Sequence, residues 1–144
     1  MKIRRVKAKI IKNSLGRDTI EITVNRKYKG SVPLGVSVSK NEVKQFPYYG
    51  VPVDFVNKTL HKGFKGYTIQ DFHELEEVER ILSDKDGFEK IGGNTLLAFE
   101  YALLRAMSGN EVWKFLNPSC DEMPVHIGCC VCGGKHYIGE CVEF

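Results

Sequence analysis

The sequence predicts an α+β protein: a three-stranded antiparallel β-meander, then a helical bundle, then two brief strands. Three observations carry this. Apolar and polar residues alternate in the first third, as on a strand with one wet face. In the middle, apolar residues recur every three or four positions, the helical repeat. The final "VHIGCCVC" and "ECVEF" are short continuous apolar runs, as in strands buried on both faces. With 144 residues, 42% hydrophobic and 27% charged, the chain has the composition of a globular protein and is long enough to bury a core unaided.

Residues 3–11 read as the first strand. "NSLGRD" supplies a turn, since Asn13 and Ser14 can bond nearby backbone and Gly16 can take positive φ. In "TIEITVNRKY" the residues Ile20, Ile22 and Val24 point inward while Glu21, Thr23 and Asn25 point outward. "GSVPLG" reads as a shorter third strand, and residues 35–50 read as a loop, long enough to be functional or mobile. A helix begins at Pro52, carries Val53, Val56 and Leu60 as its apolar stripe and ends before Gly63. The next opens with Thr68 and Asp71 as a capping pair and turns Phe72, Leu75, Val78 and Leu82 to the core. The third runs from an Asn94 cap to a Gly109 stop and is apolar almost all round, so it is the buried one. "NEVWKFL" is a short turn with Trp113 in the core, and "NPSCDEMP" is a linker.

Composition also excludes. No apolar run approaches the roughly 18 residues of a membrane span. The basic start "MKIRRVKAKIIK" lacks the apolar core and cleavage site of a signal peptide, so a cytoplasmic location is expected. Lys2, Arg4, Arg5, Lys7, Lys9 and Lys12 invite a nucleic-acid reading, but Ile3, Val6, Ala8 and Ile10 interleave with them. The expected role is therefore the solvated face of an edge strand, guarded against pairing, and no nucleic-acid partner. The five cysteines are an odd number, against a complete disulfide framework.

Cys129, Cys132, His136 and Cys141 have nearly the spacing of a zinc knuckle, with ligand types that suit Zn²⁺. Against that, a strand turns Cys129 and Cys132 to opposite faces, and small thiols pack as compact hydrophobes. His61, His73 and His126 stand alone, "PYYG" at 47–50 looks like a loop anchor, and Gly92-Gly93-Asn94 reads as a helix cap.

Taken in order, the motifs resemble the N-terminal domain of enolase. "NSLGRDTIEI" stands where that family has "DSRGNPTVEV", and "VPLGVSV" and "NEVKQF" where it has "VPSGAST" and "YEALEL". "KDGF…GGNTLLAFEYA" echoes "LDGT…GANAILGVSLA", "EVWKFL" echoes "PLYRY", and "MPVHIGCCVCGGKHYIGECVEF" echoes "MPVP…NVINGGKHAGN…QEFM". The resemblance implies a capping domain over residues 1–122 and, from 123 to 144, the first strands of a β/α barrel, which takes roughly 250 residues when complete. It implies a Mg²⁺-dependent lyase acting on a phosphorylated small molecule, 2-phosphoglycerate, and a possible homodimer. Ser37 falls at the loop serine that ligates the second Mg²⁺, His136 at the histidine on the substrate's phosphate side, and Glu143 at the glutamate that assists loss of the hydroxyl. The lysine base and the principal Mg²⁺ carboxylates belong to the family's barrel. Leu15, Asp18, Leu34, Val38, Ser39, Cys132 and Val142 depart from the family pattern. Two other readings therefore stay open: a non-catalytic relative that uses the domain for association, and a small zinc module.

Overall fold

A computed structural model describes residues 1–35, 39–83, 87–119, 121–123 and 125. Its order is three strands and then helices, the α+β arrangement expected. Strands β1 (Val6–Lys12), β2 (Asp18–Val24) and β3 (Tyr28–Ser31) form one antiparallel sheet in the order β1-β2-β3. The register sets Val6 against Val24, Ile10 against Ile20 and Ile22 against Gly30.

The expected alternation holds best in β2, where Ile20, Ile22 and Val24 are fully buried. On β1, Val6 and Ala8 follow it, but Ile10 is 52% exposed although it lies on the same face. The β1–β2 turn forms as anticipated: Asn13 Oδ1 accepts from the Leu15 and Arg17 amides, and Gly16 takes φ 73°. β3 comes earlier than expected. Asn25 (φ 51°) and Arg26 (φ 64°) both take positive φ, and with the Lys27 amide bonded to the Val24 carbonyl they make a tight turn before Tyr28 pairs with Val24. Asn25 is therefore a turn residue. Its side chain accepts from the Arg4 and Arg5 amides and donates to the Lys2 carbonyl.

Helix α1 covers residues 53–64: α-helical at Val53–Phe55, π-helical at Val56–Leu60 and α-helical again at His61–Phe64. Gly63 lies inside it rather than beyond its end. Helix α2 is Glu74–Leu82 and starts later than Thr68, because Thr68 pairs with Lys2 and the Ile3 amide bonds the Tyr67 carbonyl. Two carboxylates bond backbone before the helix: Asp71 Oδ1 accepts the Glu74 amide, and Glu74 Oε2 accepts the Gln70 amide. Leu75 and Val78 are buried as expected, whereas Phe72 is exposed.

Helix α3 (Gly93–Ser108) is the central one and stops at Gly109 in the left-handed conformation, as anticipated. Ala98, Phe99, Ala102 and Leu103 are fully buried against the sheet. Phe99 meets Phe64 edge-on at 5.2 Å, which joins α1 to this core. Leu97 and Tyr101 lie on its exposed side, so burial is not all round. In the short α4 (Val112–Leu116), Trp113 is 62% exposed, not core; Val112 and Phe115 pack inward instead. The two terminal strands expected from the sequence lie outside the described residues. No helix among the described residues is long and apolar enough to cross a membrane.

Candidate functional site: the seat of the 35–50 loop

The first turn of a helix leaves amide hydrogens without intrahelical partners. In α3 they are met by the loop. The Gly93 amide donates to the Lys44 carbonyl (2.8 Å) and the Asn94 amide to the Gln45 carbonyl (3.0 Å). Asn94 is thus not the side-chain cap expected of it; its Nδ2 donates to the Pro33 carbonyl at 3.3 Å. Gly92 makes the approach possible. It has φ 79°, and a Cβ there would lie 2.6 Å from the Gln45 carbonyl oxygen and 2.7 Å from Phe46 Cα.

Further ties hold the same loop. Gln45 Nε2 donates to the Gly35 carbonyl (3.3 Å), and Lys44 Nζ reaches Glu89 at 2.8 Å. Tyr49 Oη donates to the Lys90 carbonyl (2.7 Å), so "PYYG" does anchor the loop. Partial burial, and then the neighbouring Tyr48, raise the Tyr49 pKa. The described residues on both sides of Ser37 are therefore fastened to one helix terminus and the turn before it.

Beneath the Pro33–Leu34 side, the β1–β2 turn and the end of β3 enclose a cavity of about 330 Å³. Leu15 and Leu34 both line it. These are two of the departures from the enolase pattern, at positions where that family carries an arginine and a serine, and the fold brings them to one place. Thr19, buried at the same cavity, donates its hydroxyl to the Val32 carbonyl at 2.8 Å.

Ser37, His136 and Glu143, and the alternative zinc ligands Cys129, Cys132, His136 and Cys141, all lie outside the described residues. Among the described residues no three His, Cys, Asp or Glu side chains gather as a metal site.

One partly buried carboxyl escaped the sequence reading. Glu100 of α3 is half-buried, and its Oε1 has no hydrogen-bond partner. Burial first, then a hydrogen bond with Glu79 of α2 and that group's charge, raise its pKa to about 8. At neutral pH the Glu100 carboxyl holds its proton. The only hint in the sequence was a lone glutamate in the apolar "LLAFEYALL".

No protein-family model matches the chain. Curated proteins do. The chain is 29% identical over 143 residues to the enolase of Methanosphaera stadtmanae, an alignment covering 93% of this chain and 34% of that protein. It is 29% identical over 132 residues to the enolase of Picrophilus torridus, covering 86% and 33%. It is also 29% identical over 153 residues to that of Anaplasma marginale, covering 94% and 36%. The chain is thus enolase-like along nearly all its length, and spans about a third of the length of these relatives.

Proposed function

We propose that the chain is the N-terminal part of an enolase-like lyase of the cytoplasm, with residues 1–122 as capping domain and 123–144 as the beginning of a barrel. The observation that carries this is the similarity to enolases over 93% of the chain. In the complete enzyme the reaction is Mg²⁺-dependent dehydration of 2-phosphoglycerate to phosphoenolpyruvate, a step of glycolysis. The proton removed is weakly acidic because its carbanion lies beside a carboxylate, so concentrated positive charge is what makes the step accessible. This chain supplies Ser37 on the loop, His136 toward the phosphate and Glu143 toward the departing hydroxyl. The loop's fastening to α3 supports the reading, because a loop that closes over substrate needs a fixed base from which to close.

A second reading, a non-catalytic enolase-like protein used for association, has its own support. Leu15 and Leu34 line one cavity, so polar positions of the family pattern are lost together beside the loop. One experiment separates the two. The 144 residues are joined to the remaining two thirds of the M. stadtmanae enolase, and phosphoenolpyruvate formation is followed with Mg²⁺. The lyase reading expects an inactive chain alone, an active chimera, and loss of activity in Ser37→Ala and Glu143→Gln chimeras. A folded, substrate-binding chimera without turnover would leave the non-catalytic reading standing.

A further inference from the structure

The basic N-terminus divides in two. Lys9 pairs with Glu21 (3.1 Å) and Lys12 with Asp18, both across the sheet. Lys2, Arg4, Arg5 and Lys7 have no ion pair among the described residues. The fold instead adds Arg26, from the β2–β3 turn, and Lys65, from the end of α1, to these four around a cavity of about 940 Å³. No carboxylate is among its lining residues. An edge strand is protected by a few scattered lysines; that purpose does not explain basic residues of three separate segments lining one concave place.

Three further features favour a site over a solvated patch. The backbone below is fixed, because Asn25 Oδ1 holds the Arg4 and Arg5 amides at 2.7 and 3.2 Å. His61 also lines the cavity, and its Nδ1 accepts the Val6 amide hydrogen at 3.2 Å. A neutral ring with Nδ1 as acceptor carries its hydrogen on Nε2, which leaves a donor for a ligand. The two arginines offer forked donors that match phosphate oxygens, whereas a lone lysine acts as a point charge. The volume suits a small ligand of nucleotide size.

We propose that this cavity, formed by Lys2, Arg4, Arg5, Lys7, Arg26 and Lys65, is a binding site for a small, multiply phosphorylated anion. No described residue of the 35–50 loop lines it, and the proposal does not depend on the lyase reading. The cations repel one another in the empty cavity, so such a ligand also stabilises the fold by binding it and not the unfolded chain.

The test uses tripolyphosphate with the 144-residue chain, read by calorimetric titration and by thermal unfolding at constant ionic strength. Expected are one binding site, a rise in Tm, and binding much weaker for inorganic phosphate. Arg4→Gln/Arg5→Gln and Lys65→Gln variants, all at exposed side chains, weaken tripolyphosphate binding tenfold or more. Lys114→Gln, on α4 away from the cavity, leaves it unchanged. The proposal is overturned if tripolyphosphate does not bind, or if Lys114→Gln weakens binding as much as the cavity variants do. It is equally overturned if a single-stranded RNA oligonucleotide binds through these residues while tripolyphosphate does not, for that marks an extended nucleic-acid surface.

Discussion

Gly30 sits in β3 where α3 crosses it. A Cβ there would lie 2.0 Å from the Ala98 carbonyl oxygen and 2.6 Å from the Ala102 nitrogen. Both obstacles are backbone of the buried helix, so relief requires moving α3 away from the sheet rather than turning a side chain. Overpacking of this kind costs about 3 kcal/mol or more. Gly30→Ala is accordingly expected to lower the urea midpoint sharply. Gly63, in contrast, is inside α1 with nothing within 4 Å of its would-be Cβ and no positive φ. Gly63→Ala should raise stability by roughly 0.5–1 kcal/mol, since alanine restricts the unfolded chain and favours helix. If the two substitutions shift the midpoint alike, the close contact between β3 and α3 is not what fixes Gly30.

Between elements, side chains of α1 complete the free edge of the sheet. Asn57 accepts the Ala8 amide on Oδ1 (2.7 Å) and donates from Nδ2 to the Ala8 carbonyl (3.2 Å), while His61 takes the Val6 amide. The amide of Asn57 thus stands in for one residue of a neighbouring strand. Ile10, one pair further along, stays exposed despite its favourable pattern. Asn57→Ala should cost about 2 kcal/mol in chemical unfolding and promote self-association on gel filtration, because it leaves two buried-edge groups unpaired. A second contact, between α2 and α3, makes stability depend on pH. The pKa of Glu100 is raised in the folded state, so the folded protein binds the extra proton more tightly than the unfolded chain. The resulting stability is complete below the ordinary carboxylate range and is lost as pH rises through about 8. Stability, and Tm with it, should therefore fall from the ordinary carboxylate range up to about pH 8 and level off above it, by an amount on the order of 1 kcal/mol once solvent screening of this half-exposed side chain is allowed for. Glu100→Gln should flatten that decline; an unchanged slope would place the titrating group elsewhere.

Across the whole molecule, what the sequence made legible was local. β2 alternates because one face is covered along its full length, and Gly16 and Gly109 stand where short-range geometry demands them. What stayed hidden depends on partners far away in the chain. Thr68 is drawn into pairing with Lys2, which delays α2, and the cap of α3 comes from carbonyls at residues 44 and 45 that no helix-terminus rule exposes. Trp113 and Phe72 carry the right residue types for a core, but the elements bearing them turn other side chains inward. Ser37, His136 and Glu143 were singled out only through likeness to a family, since the sequence shows no local chemistry that marks them out, and they lie outside the described residues. What the described residues do give is the seat of the 35–50 loop, and that seat can be tested. Gly92 is the contact through which loop, helix and the preceding turn act as one body: its backbone has φ 79°, and the loop passes over the place a side chain would fill. Gly92→Ala must push the loop away, releasing the Gly93 and Asn94 amides from the Lys44 and Gln45 carbonyls. Hydrogen exchange reports such local opening directly. These two amides should exchange at least tenfold faster, equivalent to about 1.4 kcal/mol of lost protection, while the Ile22 amide in the centre of the sheet keeps its rate. Equal acceleration at Ile22 would mean that the substitution loosens the whole fold, and no acceleration at Gly93 and Asn94 would mean that the loop is held by Tyr49 and Lys44 without this contact.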